Sequence, residues 1–225
     1  MHCLWSCQPA LNSASALLGG LNISNLNGVG DDGEDIPFFS RNVFGIGAVL
    51  DLGLNENITL RLEPMYLQKG GTFEGFLQDF QFDAFPQDFL AEFKFKAAYL
   101  EVPVLFKLAL QTSTIQLYVM AGPTLGLLLN SKLEINSPAA ALADEINFDG
   151  LSNYIDFGLG FGAGMNFPIG KNSIFVEGRQ TLGLYKVVDN GKTSAGDFEF
   201  EFEETDIKTR GFQILAGITF PFGEY

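Results

Sequence analysis

From Tyr154 to Phe167 the chain keeps a period of two. Ile155, Phe157, Leu159, Phe161, Ala163, Met165 and Phe167 alternate with Tyr154, Asp156, Gly158, Gly160, Gly162, Gly164 and Asn166. Successive side chains of a strand point to opposite faces, whereas a helix would scatter these two sets around its circumference. The pattern recurs where Leu100, Val102, Val104, Phe106 and Leu108 oppose Tyr99, Glu101, Pro103, Leu105 and Lys107. It closes the chain, where Phe212, Ile214, Ala216, Ile218, Phe220 and Phe222 oppose Gly211, Gln213, Leu215, Gly217, Thr219 and Pro221. Eight segments read as strands, at about 16–26, 41–53, 58–71, 97–109, 114–130, 153–167, 173–186 and 207–222. No apolar run approaches the 18 or more residues of a membrane helix, so a membrane could be crossed only by strands. The 26 glycines and 23 phenylalanines suit strands and tight turns better than helices.

The connections alternate in length. Short ones fall near Leu54–Asn57, Gln111–Ser113 and Ile169–Asn172; long ones fall at 27–40, 72–96, 131–152 and 187–206. Short turns at one end and long loops at the other are the plan of an up-and-down membrane barrel. The four long loops hold 20 of the 27 acids but only Lys94, Lys96, Lys132 and Lys192, leaving the strands near neutrality. Strands in hydrocarbon carry little outward charge, whereas loops in water can. Two loops have texture. Phe82, Phe85, Phe89 and Phe93 have helical spacing interrupted by Pro86, which suits a short lid, or strand tips with an aromatic patch. Residues 198–203 alternate Phe and Glu, so the seventh and eighth strands are expected to continue past the membrane as a hairpin.

Alternation does not say which face points inward. A membrane barrel has a polar interior and an apolar wall; a soluble lipocalin-like barrel carrying an apolar ligand reverses this and is the alternative. The Gly-rich face of 158–164 suits a narrow lumen. The polar faces carry both signs of charge, in Arg61, Glu63, Glu101, Lys107, Glu177 and Arg179. Buried charge is tolerable when paired, so these six are expected to form an interior ion-pair network. Eight strands leave an interior just filled by side chains, which predicts a plugged barrel rather than an open pore. Pro64, Pro103, Pro123 and Pro221 each remove a ladder hydrogen bond and are expected at bulges or membrane boundaries.

Several functions are excluded or disfavoured. A net charge of −14 leaves no basic stripe for nucleic acid. His2 is the only histidine, so Ser-His and Asp-His catalysis have no base within the strands or loops, and no enzyme activity is expected. Cys3 and Cys7 are the only cysteines, too few for a zinc site, and no spaced Asp-x-Asp calcium loop or phosphate cradle occurs, so no metal or cofactor is expected. Residues 1–15 lack the charge and apolar core of an export signal and read as a leader remnant or disordered N-terminus before a barrel domain at 16–225.

Runs along the chain also resemble a known family, the PorT-like outer-membrane β-barrel proteins of Bacteroidetes-type bacteria. They are Gly20 to Leu26, Leu62 to Gly71 with its Glu63-Pro64-Met65-Tyr66, Tyr99 to Leu105, Ala121 to Leu128 and Asp156 to Gly164. The likeness spans about 18–222 and implies an all-β, eight-stranded, antiparallel up-and-down transmembrane barrel in the cell outer membrane. Gly217, Phe220 and Phe222 are similar to the C-terminal signal read by the barrel assembly machinery, with Leu215 replacing a usual polar residue. The partners implied are outer-membrane lipid and lipopolysaccharide, that machinery, and secretion or surface proteins. The role expected is structural or interactive at the cell surface, with a link to protein secretion drawn from the resemblance.

Overall fold

The computed structural model describes residues 13–28, 37–76, 90–110, 115–136, 145–147, 153–186, 191–195, 198–202 and 207–222. Within them lie twelve strands: β1 (Ser13–Asn27), β2 (Arg41–Gly53), β3 (Ile58–Leu62), β4 (Met65–Phe76), β5 (Leu90–Leu110), β6 (Gln116–Asn136), β7 (Glu145–Asn147), β8 (Ile155–Ile169), β9 (Asn172–Gly183), β10 (Gly191–Ala195), β11 (Phe198–Phe202) and β12 (Lys208–Phe222). β3 and β4 are one stave broken at Glu63-Pro64; both pair antiparallel with β2 and β5. The wall then runs β1, β2, β3/β4, β5, β6, β8, β9, β12, every neighbour antiparallel. It closes where β12 pairs with β1, from Ser13 opposite Phe222 to Asn27 opposite Lys208. The ring therefore has eight staves and no free edge, which removes the unpaired backbone that lipid cannot satisfy.

Local chemistry explains the turn end. Asn55 Oδ1 accepts from the backbone N–H of Asn57 (2.9 Å) and Ile58 (2.8 Å), folding the β2–β3 turn. Gly170 has φ of +62°, a left-handed conformation that glycine adopts without strain, and turns β8 into β9. Pro64 lies in the stave break, where its carbonyl accepts from Ala48 N–H at 3.0 Å and Glu63 N–H reaches the Pro103 carbonyl at 3.1 Å. Pro221 sits beside the turn end, opposite Ala14. Pro103 and Pro123 differ from expectation. They lie within β5 and β6, where the pairing lapses between Pro103 opposite Thr124 and Phe106 opposite Ala121; the β5–β6 bulge is elsewhere, at Ala98/Tyr99. A proline has no N–H to offer the ladder, so the lapse is local.

The loop end departs most from the sequence reading. β4, β5 and β6 run on into residues assigned to long loops, with Phe76 opposite Leu90 and Glu92 opposite Asn136. At about 3.3 Å per residue, the 21-residue β5 and β6 exceed the 9–11 residues a tilted strand needs to cross a bilayer, so their tips stand above it. β1 begins at Ser13, inside the stretch read as a leader remnant. The Phe-Glu run pairs as the expected hairpin between β9 and β12, β10 with β11, though as a separate two-stranded sheet. Cys3, Cys7, Phe82, Phe85, Pro86 and Phe89 lie outside the described residues.

Candidate functional site

The barrel is solvated inside out. Leu17 is 65% exposed and Ile46 60%, and the outward set continues through Phe44, Phe106, Leu125, Phe157, Leu159, Phe161 and Ile214. Arg61 and Arg179 are 0% exposed. Among the described residues, charged side chains on the outer side fall only toward strand ends and tips, such as Glu74, Lys94, Lys132, Lys171 and Arg210. No water-soluble wall would present so continuous an apolar belt. A lipocalin-like barrel, apolar within and wet outside, is therefore not favoured.

Two groups of charges lie in the lumen. The first lies toward the turn end. Arg61 on β3 straddles Asp51 on β2, Nε to Oδ1 at 2.7 Å and Nη2 to Oδ2 at 2.9 Å, the two-pronged geometry that suits guanidinium and carboxylate. Its Nη1 donates to Glu177 Oε2 on β9 at 2.8 Å, and Tyr118 on β6 donates to the same oxygen at 2.9 Å. Arg179 Nη2 reaches Glu63 at 2.7 and 2.8 Å and Glu177 Oε1 at 2.5 Å. Lys107 Nζ lies 3.4 Å from Asp51 and 4.2 Å from the centre of the Tyr118 ring. Three carboxylates meet three cations, so this group is neutral, and its links cross the lumen between opposite sides of the wall.

The second group lies toward the loops. Lys69 on β4 pairs with Glu101 on β5 and, at 2.9 Å, with Asp156 on β8. Thr209 on β12 donates to Asp156 Oδ2 at 3.0 Å, and the Tyr99 ring centre is 5.2 Å from the ammonium. Two carboxylates here meet one cation. Apolar side chains cap this group from above: Leu26, Phe95 and Ala97 pack with Phe38 and Leu133. Phe73 stacks on Phe93 with centres 4.9 Å apart, and Phe38 meets Phe73 edge-on at 5.7 Å.

Five of the six charges expected in the lumen thus belong to the turn-side group; Glu101 is the exception and joins a different one. Asp51, Lys69 and Asp156 complete the two groups but were absent from the sequence list. Strand parity carried the signal: Arg61, Glu63, Met65, Leu67 and Lys69 are all inward across the stave break, as are Val43, Val49 and Asp51 on β2. The lumen is also less polar than expected. Leu18, Met65, Leu67, Phe175 and Leu215 form an interior apolar cluster. Leu215 therefore replaces a polar residue because it packs against Phe175 and Leu18. Gly217 leaves room for the Phe175 ring, which a Cβ would meet at 2.5 Å, while Phe220 and Phe222 point outward. Gly164 does the same for Tyr118, whose hydroxyl lies 2.4 Å from where a Cβ would stand, so the glycine face of β8 makes space for large partners.

A pocket of about 180 Å³ opens at the turn end, lined by Asp51, Asn55, Glu56, Thr59, Lys107 and Gln116 among others; it stops against the turn-side ion pairs. Among the described residues no three His, Cys, Asp or Glu side chains cluster as a metal site, and no helix is long and apolar enough to cross a membrane.

No curated protein matches the chain. Solved structures similar to it include Neisserial surface protein A (12% identity, 92% of this chain and 97% of that one, TM-score 0.44). Others are the N-terminal β-barrel domain of Pseudomonas aeruginosa OprF (12%, 94% and 99%, 0.40) and the outer membrane protease OmpT from Escherichia coli (9%, 95% and 98%, 0.45). The model of the outer membrane protein β-barrel domain family matches residues 11–189, every stave except the closing β12. The chain belongs to that family, as a small eight-stranded barrel of the outer membrane.

Proposed function

We propose that this barrel is a plugged, non-catalytic surface protein whose acidic loops, rather than its lumen, meet its partners. The observation that carries the plug is the turn-side charge group. Arg61, Arg179, Tyr118 and Phe175, all at most 1% exposed, lie inside the barrel, and hydrogen bonds of Arg61 and Tyr118 tie β2, β3, β6 and β9 together. An eight-stranded barrel has little width beyond its own side chains. Passage of a solute would require several buried charges to part at once, and a buried charge left without its partner is costly. Purified protein in a planar bilayer should therefore give no stable open state; large, long-lived conductance steps would refute the plug.

The surface role rests on charge. Acids outnumber lysines 20 to four over residues 27–40, 72–96, 131–152 and 187–206, the loops and strand tips of one end, and a strongly anionic rim attracts cations and basic partners over about a Debye length. Divalent bridging to lipopolysaccharide phosphates fits this rim. The Gly217, Phe220 and Phe222 terminus fits recognition by the assembly machinery. The PorT-like likeness of β1, β4, β5, β6 and β8 extends the reading to a part in secretion of surface proteins. Deletion of the gene should then leave surface proteins unexported while other outer-membrane barrels remain; unchanged export would remove the secretion role and leave the structural one.

A further inference from the structure

We propose that the loop-side charge group is a binding site for one small monovalent metal cation, of about the size of sodium, held between Glu101 and Asp156. Lys69 is shared by both carboxylates, so one negative charge is left over in a place where no more than a few per cent of any of these side chains is exposed. A buried charge without a counter-charge is strongly unfavourable. The neighbouring cation on β2, Arg41, makes no ion pair with either carboxylate; its Nη1 donates to the Phe95 carbonyl at 2.9 Å. The other groups facing the site, Thr209 and Tyr99, are neutral.

A second observation points to a ligand. Glu101 Oε1, Asp156 Oδ1 and the Tyr99 hydroxyl are each buried without a hydrogen-bond partner. They belong to the neighbouring staves β5 and β8. Glu101 and Asp156 stand opposite the two sides of Gly126, on β5 and β8. A Cβ at Gly126 would lie 3.3 Å from the Asp156 Cβ and 3.3 Å from the Tyr99 ring. Glycine thus leaves room beside Asp156 and Tyr99, on the stave between the two carboxylate-bearing ones, and carboxylates and a phenol are hard oxygen donors suited to an alkali or alkaline-earth ion. A charge of +1 neutralises the group, whereas +2 would leave a buried positive charge. The acidic loops at this end raise the local cation concentration. The site stands whether or not the barrel conducts.

The test is thermal unfolding of the whole chain, reconstituted in neutral phospholipid, with sodium chloride exchanged for N-methylglucamine chloride at constant ionic strength. Sodium should raise the Tm of the wild type by several degrees. E101Q and D156N should each abolish the rise, and E63Q, in the neutral group, should keep it. Should the carboxylate variants fail to fold, G126A retains every charge while narrowing the space, and should lose the response. A wild type indifferent to sodium, stabilised only by lowering the pH, would overturn the proposal in favour of a bound proton. An equal sodium response in all variants would overturn it as well.

Discussion

The two charge groups in the lumen are built from the same residue types and differ in balance. Toward the turns, Asp51, Glu63 and Glu177 are matched by Arg61, Arg179 and Lys107; Arg61 grips Asp51 with a forked contact, while Arg179 meets Glu63 and Glu177 through Nη2. Toward the loops, one ammonium serves two carboxylates. Lysine brings three donors on a point charge, while arginine spreads five over a rigid plane that can join three acids at once. The turn-side group is therefore balanced in charge without an added ion. The unbalanced one requires something from outside, and it sits at the end facing the acidic loops. What the contrast teaches is that burial alone does not make a charge group self-sufficient; the charge count within each layer does.

The contrast can be broken at its strongest point. R61A takes the central cation from Asp51 and Glu177, leaving them Lys107 and Arg179, and removing one partner of a buried network costs about 3–5 kcal/mol. Urea unfolding of the reconstituted barrel should show that loss; one below about 1 kcal/mol would mean the group is not held as described. A smaller effect comes from the wall. L159R puts a charge on the lipid side mid-stave and should cost about 2–4 kcal/mol in a bilayer, whereas F222R at the turn end should cost about 0–1. Equal costs would deny the depth difference between the two positions. The smallest effect sharpens the comparison itself. In sodium-free buffer E101Q removes only the surplus charge and leaves Lys69 with Asp156, so it should cost less than about 1 kcal/mol. E177Q, which serves Arg61, Arg179 and Tyr118 together, should cost several times more.

Much of this was legible from the chain. Eight alternating segments became eight staves, most with ends within a few residues of those expected. The long stretches 72–96 and 131–152 were misjudged because Lys94, Glu92 and Glu134 look like loop residues, although on a strand above the membrane charge costs nothing. The six lumen charges were readable because period two assigns each a face. Asp51 and Lys69 obey the same parity but stand near glycines and segment ends, where the sequence alone marks no reason to prefer one face.

By itself, then, the order of residues determined the number of staves, the face each side chain takes, the polarity of the two ends and the membrane as solvent, because each follows from local periodicity and charge placement. Which charges meet, and that they divide into a neutral and an unbalanced group, was decided only by closure of the ring. Arg61 and Glu177 are 116 residues apart, as are Glu63 and Arg179. Their contact depends on the stagger between staves and the width of the lumen, which no local pattern encodes.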